Sequence, residues 1–322
     1  MYGILTAILW GVADYYARFS TRRIGTFRTL CYMEAVGVTA LTIWLAASGQ
    51  LIGMFALALP RMWAWVVFSA LLSTVASLAF YRALEIGTLV IVSPLTSVYP
   101  VVTLLLSVYA GERLSRHNVI GIVIALIGAA LAGTSFRTLS GGATGGTGAE
   151  SGAAASGEAD GDTLETLHSG EHGHIHMPPH GHLTRGAGLA LFASVGYGLN
   201  FWVLAYRIMP ALNGVQAVWA VRGLSLLMLI ALGLGVPAKM SLQFPRGSVW
   251  RLVAAVGLLD AGAFVVSNFG MLTGHVSVTT VLGSLFSAVT VFLAWIFLRE
   301  RIERTQWAGI FLIFIGIVLV SA

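Results

Sequence analysis

The sequence predicts an all-α integral membrane protein: ten transmembrane helices arranged as two inverted five-helix repeats joined by a disordered His-rich linker. Three observations carry that prediction. Composition comes first, with 57% hydrophobic residues, only 10% charged residues and a mean hydropathy of +0.86 over 322 residues, too little polar surface to cover a water-soluble chain of this size. The second is a set of continuously apolar runs close to the length that crosses about 30 Å of hydrocarbon at about 1.5 Å per residue. The third is a repeated phrase, Glu112-Arg113-Leu114 and Glu300-Arg301-Ile302, set 188 positions apart and kept in register by Gly121 with Gly309 and by Gly128 with Gly316.

The runs begin near Gly3, Leu30, Met62, Leu89, Asn118, Gly186, Val215, Val249, Val276 and Trp307. They are unbroken by polar alternation and too long for barrel strands, so helices are expected. Basic residues Arg18, Arg22 and Arg23 follow the first run instead of preceding it, which argues for a retained span and against a signal peptide. Between residues 137 and 184 the composition turns to Gly, Ser, Thr, Ala and acids and then to histidines, as in a solvated linker. Expected boundaries are therefore 1–136 for the first repeat, 137–184 for the linker and 185–322 for the second repeat.

Five spans per half is an odd number, so the second half must enter from the opposite face. Loops after the odd-numbered spans hold Arg18, Arg22, Arg23, Arg82, Arg185, Lys239, Arg299 and Arg304, among others, whereas the other side holds only Arg61, Arg113, Arg116 and Arg207. The positive-inside rule then puts both termini outside and the linker in the cytoplasm. Net charge of +5 does not imply nucleic acid, because the cationic residues flank apolar runs and make no continuous face. Cys31 is the single cysteine, so no intrachain disulfide and no cysteine metal site is available.

At this point the residues resemble a family. Trp10-Gly11 in the first span, Pro94 and Pro100 in the fourth, Gly111-Glu112-Arg113-Leu114 after it, and Gly121 with Gly128 in the fifth are similar to the ten-helix drug/metabolite transporter superfamily, in particular its EamA-type members. Tyr197-Gly198 stands where the second Trp-Gly would be, and Ala288 replaces the proline corresponding to Pro100, which puts a kink in the ninth span in doubt. The resemblance implies transport of small metabolites, amino acids among them, across the inner membrane.

Polar groups inside hydrocarbon are costly and mark functional paths. Asp260 lies mid-span beside Gly257, Ala261 and Gly262, and is expected to face a central cavity, taking a coupling proton or pairing with a cationic substrate group. Its alternative is an acid with a packing partner only. Glu34 and Arg222 are 188 positions apart and so fall at matched depths of an inverted repeat, as an opposite-sign pair or as half-sites for a zwitterion; separate snorkelling is the alternative. Trp10 and Asn200 sit well inside the opening helices of the two halves, and Asp14 lies one turn beyond Trp10, where it either extends a polar path or balances Arg18. These six are the expected substrate-binding or coupling residues.

Gly121, Ala125, Gly128 and Ala132 form a small-residue stripe that suits close helix contact, within the scaffold or across a homodimer; monomer and homodimer both stay open. No metal site is assigned. His172, His174, His176, His180 and His182 are weak metal candidates in the linker, since neutral imidazoles bind zinc, nickel or copper but lack here the spacing of a structural site. No cofactor is expected, and without a Gly-x-Ser-x-Gly elbow or an ATP-binding loop neither an enzyme nor a primary pump is. The expected function is a secondary transporter of a small organic metabolite, amino-acid-like or related, working as an exporter by alternating access, with lipid and substrate as partners. A divalent-metal transporter with a His-rich regulatory loop and a lipid-carrier flippase are the alternatives.

Overall fold

Helix boundaries repeat at the spacing found in the sequence. The computed structural model describes residues 1–53, 60–109, 115–133, 184–235, 247–272, 279, 282–300 and 303–321. In the first half the helices are α1 (Tyr2–Ile24), α2 (Thr26–Ala47), α3 (Pro60–Ile86), α4 (Leu89–Thr96), α5 (Tyr99–Tyr109) and α6 (Arg116–Gly133). The second half holds α7 (Ala187–Val203), α8 (Gly214–Leu234), α9 (Ser248–Leu272), α10 (Phe286–Leu293) and α11 (Arg304–Ser321). Starts of α2 and α8, of α3 and α9, and of α6 and α11 are each 188 positions apart. Single π-turns continue α7 over Leu204–Ile208 and α10 over Ala294–Leu298. Among the described residues the chain is helical, without strands.

Six of these helices or helix pairs are long and apolar enough to cross a membrane: Thr26–Ala47, Pro60–Ile86, Leu89–Leu106, Ala187–Ile208, Gly214–Leu234 and Ser248–Leu272. Shorter apolar helices run over Val119–Ala132, Leu282–Leu298 and Arg304–Leu319. α1 carries Asp14, Arg18, Arg22 and Arg23 and is not among them. Outward faces are apolar, with Ile4, Ile8, Trp44, Leu71, Val123, Leu126, Phe311 and Val318 exposed, while charged side chains such as Glu34 and Arg222 are buried. That inversion suits a lipid solvent.

The two halves interlock. α1 packs on α9 and its counterpart α7 on α3; α2 packs on α9 and its counterpart α8 on α3. Helices that correspond to each other also meet directly, and they run antiparallel. Along α2 and α8, Phe27 lies against Gly233, Thr42 accepts a hydrogen bond from the Trp219 indole at 2.7 Å, and Gln50 accepts one from Asn213 at 2.9 Å. Along α6 and α11, Gly128 lies against Gly309 and Ile313, and Gly316 against Gly121 and Ala125. A Cβ at Gly128 would come within 2.6 Å of the Ile313 nitrogen, so the backbone approach itself requires glycine. The small-residue stripe is therefore covered inside the chain.

The fourth span of the first half and its counterpart in the second break at one register. α4 ends at Ser97 (φ −67°, ψ −4°), and α10 begins after Leu285 (φ −66°, ψ 0°), 188 positions later. Val98 donates to the Leu95 carbonyl and Leu285 to the Leu282 carbonyl, tight turns that interrupt the α-helical ladder. The second break forms with Leu282 and Ala288 where the first half has Pro94 and Pro100, so proline is not its cause. The ninth-span start near Val276, Glu112 and its turn, and linker residues 137–183 lie outside the described residues.

Candidate functional site

A cavity lies where the halves meet, with about 820 Å³ of empty space, its open mouth included. Its walls come from both halves: Trp10 and Asp14 on α1, Met33 and Glu34 on α2, Ser73, Ser77, Phe80 and Tyr81 on α3, Tyr197, Asn200 and Phe201 on α7, Arg222 on α8, and Asp260 and Phe264 on α9. The helix breaks contribute Thr96, Tyr99 and Phe286. All six residues selected from the sequence line this one space.

Three of them form a buried charge cluster. Arg222 Nε lies 3.0 Å from Glu34 Oε2, and Arg222 Nη1 donates to Asp260 Oδ2 at 2.6 Å. Three helices from both halves thus meet at one guanidinium. Gly37, one turn past Glu34 on α2, leaves room for the guanidinium: a Cβ there would sit 3.2 Å from both Nε and Nη2 of Arg222. Phe264, one turn beyond Asp260, places its ring centroid 5.7 Å from the guanidinium carbon. Burying two carboxylates is tolerable only with such a partner.

Trp10 sits in an aromatic cage, edge-on to Phe201, Phe264 and Phe286 at centroid distances of 5.9, 5.1 and 6.1 Å. Tyr99 stacks on Phe201 at 4.9 Å. Asn200 is buried with its amide oxygen accepting from the Ser69 hydroxyl at 2.6 Å, and Tyr197 and Ser77 hydroxyls are 3.0 Å apart. Asp14 is buried, and among the described residues its Oδ2 has no hydrogen-bond partner. The Asp14 pairing with Arg18 that their spacing allows does not form.

Arg18 does something the sequence does not reveal. It donates to the Gly87 carbonyl at 2.6 Å and the Leu84 carbonyl at 3.3 Å, and pairs with Glu300 at 2.5 Å. Glu300 also accepts from the Val90 backbone N–H at 3.1 Å. These bonds tie α1, the α3–α4 connection and the residues after α10 into one buried layer at the end of the cavity nearer Arg18. The signal available in advance is Glu300 itself, in the phrase stated twice; its partner, 282 positions away, is not legible. Sequence reasoning misses Phe201, Phe264 and Phe286 of the cavity wall, because a Phe in an apolar helix reads as core. Among the described residues no three His, Cys, Asp or Glu side chains converge to hold a metal ion, and the linker histidines lie outside those residues.

Apolar outward faces, a polar interior and a cavity between two like halves define a multi-pass membrane protein of the transporter class. The EamA-like transporter family model matches residues 1–134 and 184–322, and the chain belongs to that family. Its work is accordingly transport of a small molecule in a lipid environment. The Uncharacterized protein MJ1333.1 of Methanocaldococcus jannaschii is 30% identical over 127 residues, which cover 39% of this chain and 89% of that protein. That match is close in length to one half of this chain. A solved crystal structure is similar with a TM-score of 0.61 at 18% identity, covering 99% of this chain and 94% of its own. At that identity the likeness concerns the fold alone.

Proposed function

We propose that the chain is a secondary transporter that exports a small organic metabolite of amino-acid type across the cytoplasmic membrane by alternating access. In this reading it crosses the membrane ten times as two inverted five-span repeats, with both termini outside and the linker of residues 137–184 in the cytoplasm. The observation that carries the proposal is the Glu34–Arg222–Asp260 cluster, drawn from both halves and lining a cavity flanked by two interrupted helices. Interrupted helices beside a site between repeats are the arrangement that lets the halves rock about a bound solute. Antiparallel packing of α2 on α8 and of α6 on α11 supports the inverted relation.

In the same reading Asp260, Arg222, Glu34, Trp10, Asn200 and Asp14 contact or couple to the solute. The buried Arg18–Glu300 layer closes the cavity toward the cytoplasm, and alternating access requires that it part in the other state. The test is flux through the purified full chain in liposomes, with amino acids, sugars and divalent metals as solutes, with and without a pH gradient. Saturable amino-acid flux that falls with Arg222→Gln supports the proposal. Metal flux without organic flux removes it.

A further inference from the structure

We propose that the cavity recognises an organic ammonium group, with Asp14 as the counter-ion and Trp10, Tyr99 and Tyr197 as the aromatic wall around it. The inference rests on the reading of this cavity as the substrate site and narrows its substrate class.

Charge placement carries the argument. Arg222 is the one cation among the described residues lining the cavity, and Glu34 and Asp260 already flank it at 3.0 and 2.6 Å. Its remaining nitrogen, Nη2, has no hydrogen-bond partner among the described residues and lies beside Gly37 of α2. A substrate carboxylate would have to displace one carboxylate and face the other. The guanidinium thus holds α2, α8 and α9 together, and its two carboxylate neighbours disfavour a third anion beside it.

Asp14 differs from Glu34 and Asp260, which flank Arg222: among the described residues no cation pairs with it. The residue is 7% exposed, Oδ2, like Glu34 Oε2, has no hydrogen-bond partner among the described residues, and the side chain lines the cavity one turn beyond Trp10. Its nearest cation along α1, Arg18, is committed to Gly87, Leu84 and Glu300. A neutral hydroxyl, that of Ser93, is the polar group facing it from α4, and it brings no compensating charge. A buried carboxylate oxygen without a partner is costly, and a ligand N–H relieves that cost. With Asp14, Glu34 and Asp260 set against Arg222, the formal charge of the lining is negative. Aromatic faces attract organic ammonium groups and offer nothing to a strongly hydrated metal ion. Trp202 stands 188 positions after Asp14, so the repeat does not duplicate this carboxylate, and one ammonium per cavity is expected.

Phenethylamine, L-phenylalanine and 3-phenylpropionate present one ring with an ammonium, a zwitterion and a carboxylate. Titrated calorimetrically into the detergent-purified full chain, phenethylamine should bind at least about tenfold more tightly than 3-phenylpropionate, with phenylalanine between them. Asp14→Asn should weaken phenethylamine by at least about tenfold, and Asp14→Glu should retain most of its binding. If the carboxylate binds as well as the amine, if no amine binds the folded chain, or if Asp14→Asn keeps full amine affinity, the inference is overturned. Should Asp14→Asn fail to fold, the wild-type ranking decides alone. Organic flux in liposomes without amine preference leaves the transporter reading standing and removes this one; Asp14-dependent amine binding without flux of any solute does the reverse.

Discussion

Glu34 and Arg222, 188 positions apart in the sequence and on corresponding helices of the two halves, meet at 3.0 Å beside the central cavity. A position and its repeat equivalent touch only near the axis that relates the halves, so this pair marks that axis.

Arg222→Gln leaves Glu34 and Asp260 buried together without a cation. Removing one partner from a buried ion cluster costs about 3–5 kcal/mol, and the thermal midpoint of the purified protein should fall by several degrees. Adding Glu34→Gln to that variant should recover part of the loss, because one of the two uncompensated charges is gone. An unchanged midpoint in the single variant would show that the cluster does not hold the halves together.

Glu300→Gln keeps the shape of the side chain but weakens its bonds to Arg18 and the Val90 amide. The closed layer should then open more often. With Cys31→Ser as background and Ser73→Cys as a reporter in the cavity wall, labelling by an impermeant thiol reagent applied from the Arg18 side should speed up severalfold. Equal labelling rates with and without the Glu300→Gln substitution would remove the layer from any gating role.

Gly128→Leu places a side chain where α11 backbone already sits. Overpacking of this kind costs about 1–3 kcal/mol, so thermal stability should drop while KM for a transported solute stays unchanged, since none of the described α6 residues lines the cavity. A changed KM at constant stability would contradict the assignment of α6 and α11 to scaffold.

Replacing residues 137–183 by a short Gly/Ser spacer should leave organic flux intact. Loss of flux, or flux that becomes insensitive to added zinc after the replacement, would instead give the histidine tract a part in transport.

Accessible tags in the turns at Glu112 and Glu300 should be reached from opposite sides of the membrane in sealed vesicles. Labelling of both from one side would end the inverted arrangement and the rocking mechanism with it.

Much of this is legible along the chain because a bilayer imposes simple rules. Apolar length announces helices, the 188-residue spacing announces two equivalent halves, and a charged residue such as Asp260 or Arg222 inside an apolar run stands out against its surroundings. Phe201, Phe264 and Phe286 do not stand out, since a ring in an apolar helix carries no sign of which neighbour it faces. The proline pattern misleads for the ninth span, where local backbone turns reproduce the break at Leu285 without proline.

The sequence by itself determined the solvent, the helical class, the doubling of the unit and the shortlist of polar residues inside it, because each of these depends on composition or spacing along one chain. Tertiary structure alone decided partners: that Arg222 is shared by Glu34 and Asp260, that Arg18 turns away from Asp14 to Glu300, and that Asp14 is left without a cation among the described residues. The physical reason is that an ion pair depends on distances of a few ångströms between side chains on different helices, and those distances are fixed by packing across both halves at once.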